Sequence, residues 1–200
     1  MNRNLFLQLF IILSLLTTAK ALVFGNSNVK ALKSKILSLS RKVNRGLTET
    51  AEERAEILSL FEKLESLNKN KETLSNPDLS AVWNLEYTTS DSIIGRNDFP
   101  RVGPILQTID VQTLSAKNSE TVNYFNFLKI PRSITADITP VSKTKVEVNF
   151  KKISIGPLKL PAPIRSKNRP ALDITYLDKD FRLSRGDLGN IFILTRYAEI

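Results

Sequence analysis

The chain contains no cysteine and no histidine. That excludes disulfides, thiolate metal sites, Cys or Ser/His nucleophilic dyads and imidazole acid–base catalysis. Only carboxylates, lysine, tyrosine and hydroxyls remain as reactive groups, which argues against most enzyme classes. Long apolar runs are also scarce. The one uncharged stretch, residues 5–19, is short of the roughly twenty residues a spanning helix needs. Acidic residues are nearly missing from the first quarter of the chain, where eight Lys/Arg face Glu49 alone, a net +7 of the total +9. Residues 51–200 are close to neutral and hold most of the aromatics. A nucleic-acid surface needs basic charge and stacking rings together, so no nucleic-acid partner is expected.

The basic end has a plan of its own. Arg3 precedes the apolar stretch, which closes on Ala19-Lys20-Ala21, a small-x-small cleavage pattern. Residues 1–21 read as a signal peptide. Residues 22–45, with six basic residues, several serines and no acid, read as a transit-like segment that merges into the first amphipathic helix; the same stretch is equally the first helix of a mature protein. Val29, Leu32, Ile36, Leu39 and Val43 share one helical face. A second helix opens at Thr50, which forms a capping box with Glu53, and carries a stripe of Ile57, Leu60, Phe61, Leu64 and Leu67. Both stripes are expected to pack, closing one end of a barrel or pairing with each other.

From residue 81 the periodicity changes to two. Strands are predicted at 82–89, 104–111, 121–130, 134–139, 143–155, 171–177, 181–184 and 190–197, separated by Asn, Asp, Gly, Pro and Ser clusters. So many strands without an intervening helix imply an antiparallel sheet closed into a barrel. The four prolines between Gly156 and Pro170 predict an extended loop or edge, either a lid or a plain surface crossing. In a barrel alternate side chains point inward, so Trp83, Leu85 and Tyr87, with Val146, Val148, Phe150 and Tyr176, are candidates to line the lumen.

The most specific string is LDITYLDKDFRLSRGDLGNIFIL, residues 172–194, two apolar alternations around tight-turn chemistry. It resembles the C-terminal signature of the plastid lipid-associated proteins, also called plastid fibrillins, roughly D-T-Y-L-D-x-D-L-R-I-S-R-G-D-x-G-N-L-F-V-L. The motif positions include Asp173, Tyr176, Asp178, Asp180, Arg182, Arg185, Gly186, Asp187 and Gly189. The segments 54–68, 82–90, 103–107 and 109–110 resemble the family upstream, so that residues 32–196 are covered. One departure is Ala81, where the family usually has glycine two residues before the tryptophan.

The resemblance implies an α+β fold with two N-terminal helices and a lipocalin-like antiparallel β-barrel, over residues 29–200. It implies a plastid protein of plastoglobules or thylakoids, peripheral to the membrane or plastoglobule surface. Such a protein binds an apolar lipid or prenyl lipid (carotenoid, prenylquinone or fatty acid) or coats lipid. A signal peptide and a plastid role are compatible in a complex plastid. The alternatives are a secreted or lumenal lipocalin-like carrier and a lipocalin-like enzyme acting on a plastid lipid. By analogy with lipocalins, Arg182 or Arg185 is expected to pack over Trp83. No cofactor, metal or catalytic residue is expected: Asp173, Asp178, Asp180 and Asp187 lack the distal glutamate of a calcium loop and suit turn capping and pairing with Lys179, Arg182 and Arg185.

Overall fold

Thr50 starts helix α2, Ala51–Ser66, by the predicted reciprocal bonds: its hydroxyl accepts from the Glu53 amide and the Glu53 carboxylate accepts from the Thr50 amide. The computed structural model describes residues 27–163 and 169–200, so the predicted signal peptide lies outside the described residues. Helix α1 spans 27–42 and turns through Asn44 and Arg45, both at positive φ, into the segment that leads to α2. No helix among the described residues is long and apolar enough to cross a membrane.

Among the described residues nine antiparallel strands follow, β1 Ala81–Thr88, β2 Arg101–Asp110, β3 Ser115–Tyr124, β4 Leu128–Pro140, β5 Lys145–Ile155, β6 Leu158–Pro161, β7 Ala171–Leu177, β8 Phe181–Gly186 and β9 Ile191–Ala198. The sheet order is β4-β3-β2-β1-β9-β8-β7-β5, and β4 pairs with β5, so eight strands close into a ring and β6 hangs on the outer half of β5. The expected α+β, barrel-like fold is therefore present. A single helical turn, α3 Asp91–Ile94, links β1 to β2.

Two apolar cores share the sheet between them. Inside the ring lie Leu79, Ala81, Trp83, Leu85, Ile105, Ile109, Ile138, Val146, Ile174, Leu177 and Leu194. Outside it, Ile36 and Val43 of the first helical segment and Ile57, Phe61 and Leu64 of α2 pack on Tyr87, Tyr176, Phe181, Leu183, Ile191 and Ile193. The helices thus cover one flank of the ring, over β1, β7, β8 and β9, rather than closing an end. The reason is visible in the strands: Phe181 and Leu183 of β8 and Ile191 and Ile193 of β9 give the sheet an apolar outer face, and such a face requires a cover.

Two strand expectations change. The predicted 121–130 strand is interrupted by the β3–β4 hairpin, whose turn residues Phe125 and Asn126 take positive φ with no glycine to mark them. The proline-rich stretch forms the expected edge, in the short strand β6. Finally, register shifts between Leu85 and Tyr87 on β1, and opposite Ile174 and Tyr176 on β7, reverse the inward–outward parity along both strands.

Candidate functional site

The ring encloses a cavity of about 430 Å3. Its walls are mostly aliphatic, with Leu85 from β1, Ile105 and Ile109 from β2, Ile134 from β4, Val148 from β5 and Leu172 from β7. A volume of this size suits one small apolar ligand. Of the sequence candidates, Leu85, Val146, Val148 and Phe150 line it together. Trp83 packs in the inner core near one end. Tyr87 and Tyr176 are placed elsewhere: both rings lie in the outer core under the helices, because of the two register shifts.

The chain alternation fixes which loops gather at each end. At the Trp83 end, the segment 73–79 folds across the ring and contributes Leu74 and Leu79. Trp83 is fully buried, and its Nε1 donates to the Leu79 carbonyl at 3.0 Å. Arg182 lies over the indole, 5.1 Å from the ring centroid, and Arg196 lies 5.2 Å from it. The expected arginine–tryptophan contact is thus made by Arg182 and also by Arg196. Arg185 does something different: it grips Glu65 of α2 through two bonds of 2.8 and 2.7 Å and covers Phe61 at 5.0 Å.

The remaining motif residues mostly hold the outer core together. Asp178 accepts from the amides of Asp180 and Phe181 to shape the β7–β8 turn, and its other oxygen receives Tyr176 at 2.7 Å and Lys33 of α1. Burial works to raise the Asp178 carboxyl, but the Lys33 and Tyr176 bonds outweigh it and hold it low. The same partners act in reverse on Tyr176, where burial and the nearby Asp178 push the phenol up. Tyr87 is raised similarly by burial and by its 2.6 Å bond to Glu49. Gly186 is crowded, since an added Cβ would sit 3.3 Å from the Phe192 ring, and Gly189 needs its φ of +78° for the β8–β9 turn.

Arg182 departs from this structural pattern. It is 0 % exposed, it borders the cavity, and among the described residues it pairs with no carboxylate. Its Nη2 donates to Gln107 Oε1, and Gln107 in turn donates to Asn118 at 2.9 Å. Its Nε and Nη1 have no partner. Burial alone lowers the guanidinium to about 9, which still leaves it charged at neutral pH. Composition could not reveal this, since the residue stands in a motif rich in aspartates, none of which pairs with it.

Against known proteins, the PAP_fibrillin family model matches residues 30–167 and 154–195. The chain belongs to the PAP/fibrillin family. Among its relatives, this PAP/fibrillin member is 32% identical to probable plastid-lipid-associated protein 5, chloroplastic, of Arabidopsis thaliana, over 86% of the chain and 72% of that protein. It is 26% identical to plastoglobulin-1, chloroplastic, of Pisum sativum, over 86% of the chain and 62% of that protein. It is 29% identical to plastid lipid-associated protein 3, chloroplastic, of Brassica campestris, over 76% of the chain. In that case the chain spans little more than half, 56%, of the relative's length. The resemblance read from residues 172–194 is thereby borne out.

Proposed function

We propose that the protein is a non-enzymatic plastid lipid-associated protein that holds one apolar lipid inside its ring and rests on plastid lipid surfaces. The cavity carries this reading. Its aliphatic walls offer a water-excluding site for a carotenoid, prenylquinone or fatty-acid chain, at about 25 cal/mol per Å2 of apolar surface covered. Relatives with plastoglobulin and plastid-lipid-associated names support the setting, a plastoglobule or thylakoid.

Surface contact is assigned to the end of the ring opposite Trp83. There the β3–β4 hairpin projects Phe125, 68% exposed, and Phe127, 78% exposed, with their rings 6.2 Å apart. Leu128, Leu158 and Leu188 are exposed at the same end. Exposed apolar residues gathered in this way mark an interaction site. The basic helix α1 is a weaker candidate, because Lys33, Lys35, Arg41 and Lys42 each meet a carboxylate of the same chain.

On targeting, the reading keeps a signal peptide at 1–21 and a transit-like stretch after it, in a complex plastid. Ile36 and Val43 belong to the outer core, so a processing cut that leaves a stable domain falls before α1. Flotation with lipid droplets and liposomes, at low and high salt, tests the surface reading. Binding should survive high salt and fall with Phe125→Ser/Phe127→Ser. Salt-sensitive binding indifferent to that double variant would transfer the role to the basic helix.

A further inference from the structure

Arg182, the fully buried charge at the Trp83 end of the cavity, is unbalanced. A buried guanidinium without a counter-ion is among the costliest arrangements a protein can hold, and removing a partner from a buried ion pair is strongly destabilising for the same reason. Arg182 meets only the neutral Gln107, and its two unpartnered nitrogens carry three of the five guanidinium N–H donors. Buried donors of this kind are normally satisfied. Water could accept those bonds but cannot neutralise the charge.

Asp187 borders the cavity too, but past the far end of β8, five residues and so about 16 Å along the chain from Arg182; three other carboxylates around the ring are committed elsewhere. Glu120, on the cavity wall, pairs with Arg101 at 2.9 Å and Arg132 at 3.3 Å. Glu86, on the outer side of β1, accepts from Asn84 and Thr195. Asp178 is bound to Lys33 and Tyr176 beneath α1.

We propose that Arg182 receives the head of an apolar monocarboxylate, a long-chain fatty acid being the simplest case, whose tail runs along the cavity toward Ile93. This rests on the cavity being a lipid site, as proposed above, and adds the class of lipid. One positive charge is matched by one carboxylate, whereas a phosphate monoester would bring up to two negative charges against it. The Nη2–Gln107–Asn118 chain leaves Nε and Nη1 free while holding the guanidinium against Trp83. A neutral prenylquinone or carotene fills the same walls but leaves the charge unmatched.

The test compares oleic acid with oleyl alcohol, which share a tail and differ in the head, each titrated into the full chain below its aggregation concentration and followed by Trp83 emission. The acid should bind about tenfold or more tightly than the alcohol, the range of a hydrogen bond to a charged group. Arg182→Met should abolish that preference and leave alcohol binding in place. Equal binding of acid and alcohol by the wild type, or a preference that persists in Arg182→Met, overturns the head assignment and leaves the cavity reading standing. Binding of neither overturns both.

Should Arg182→Met fail to fold, brominated palmitic acids decide the matter in the wild type. Bromine next to the carboxyl should quench Trp83 strongly, and bromine at the far methyl end should quench it weakly. The reverse order places the tail at Arg182 and rejects the proposal.

Discussion

Trp83→Ala removes the largest fully buried side chain of the described residues. Truncating a buried tryptophan costs about 3–5 kcal/mol. Two local losses place this site at the upper end of that range: the Leu79 carbonyl loses its indole donor, and Arg182 and Arg196 lose the ring they cover. Against a usual domain stability of about 5–15 kcal/mol, the variant should be marginal at room temperature. Trp83→Phe keeps a ring in place and forfeits the N–H and part of the buried area, for a loss of about 1–2 kcal/mol. Urea unfolding followed by far-UV circular dichroism measures both, with unchanged slope as the check that the unfolded state is the same. An alanine variant within about 1 kcal/mol of wild type would refute the packing argument, as would red-shifted, iodide-quenched emission from the wild-type indole.

The Thr50→Ala variant should lose about 1 kcal/mol in the same urea assay by breaking the capping box of α2, while Thr48→Ala, two residues before it, should be near neutral. Asp178 and Glu65 are held below the ordinary carboxylate range, since bonds from Lys33 and Tyr176 at one, and from Arg185 at the other, overcome the opposing effect of burial. Their stabilisation is therefore present above about pH 4 and is lost as pH falls through the depressed folded values, so hydrogen exchange in acid should show α1 and α2 losing protection before β3 and β4; simultaneous loss would contradict this. Tyr87 and Tyr176 are raised, so the stability they lend as neutral phenols is complete below about pH 10 and declines above it. An ultraviolet titration should find at least two of the four tyrosines still protonated until the chain unfolds, and ionisation of all four in the folded chain would oppose it.

Local chemistry was the legible part of the sequence. The Thr50/Glu53 cap, the two turns of residues 172–194 and the guanidinium over Trp83 each depend on residues close in sequence or on one strongly patterned motif. What escaped depends on register. A bulge leaves no mark in the alternation, so Leu85 and Tyr87 look alike in LEYT although one faces the cavity and the other lies in the outer core under the helices. The β3–β4 turn was hidden because Phe125 and Asn126 adopt positive φ without glycine. The flank position of the helices could be inferred only by noticing that Phe181, Leu183, Ile191 and Ile193 give β8 and β9 an apolar outer face. The unpaired state of Arg182 is a property of the closed ring and no sequence pattern encodes it.

The claim that the ring holds one apolar lipid is tested most directly by native mass spectrometry of the folded chain after exposure to a mixture of fatty acid, prenylquinone and carotenoid. Ala116→Phe/Val148→Phe, which adds bulk to two cavity-lining positions, serves as the control once circular dichroism shows it folded. The wild type should carry one lipid per chain and the filled variant none. A wild type that stays lipid-free, or a filled variant that retains the same lipid in the same amount, would contradict the account.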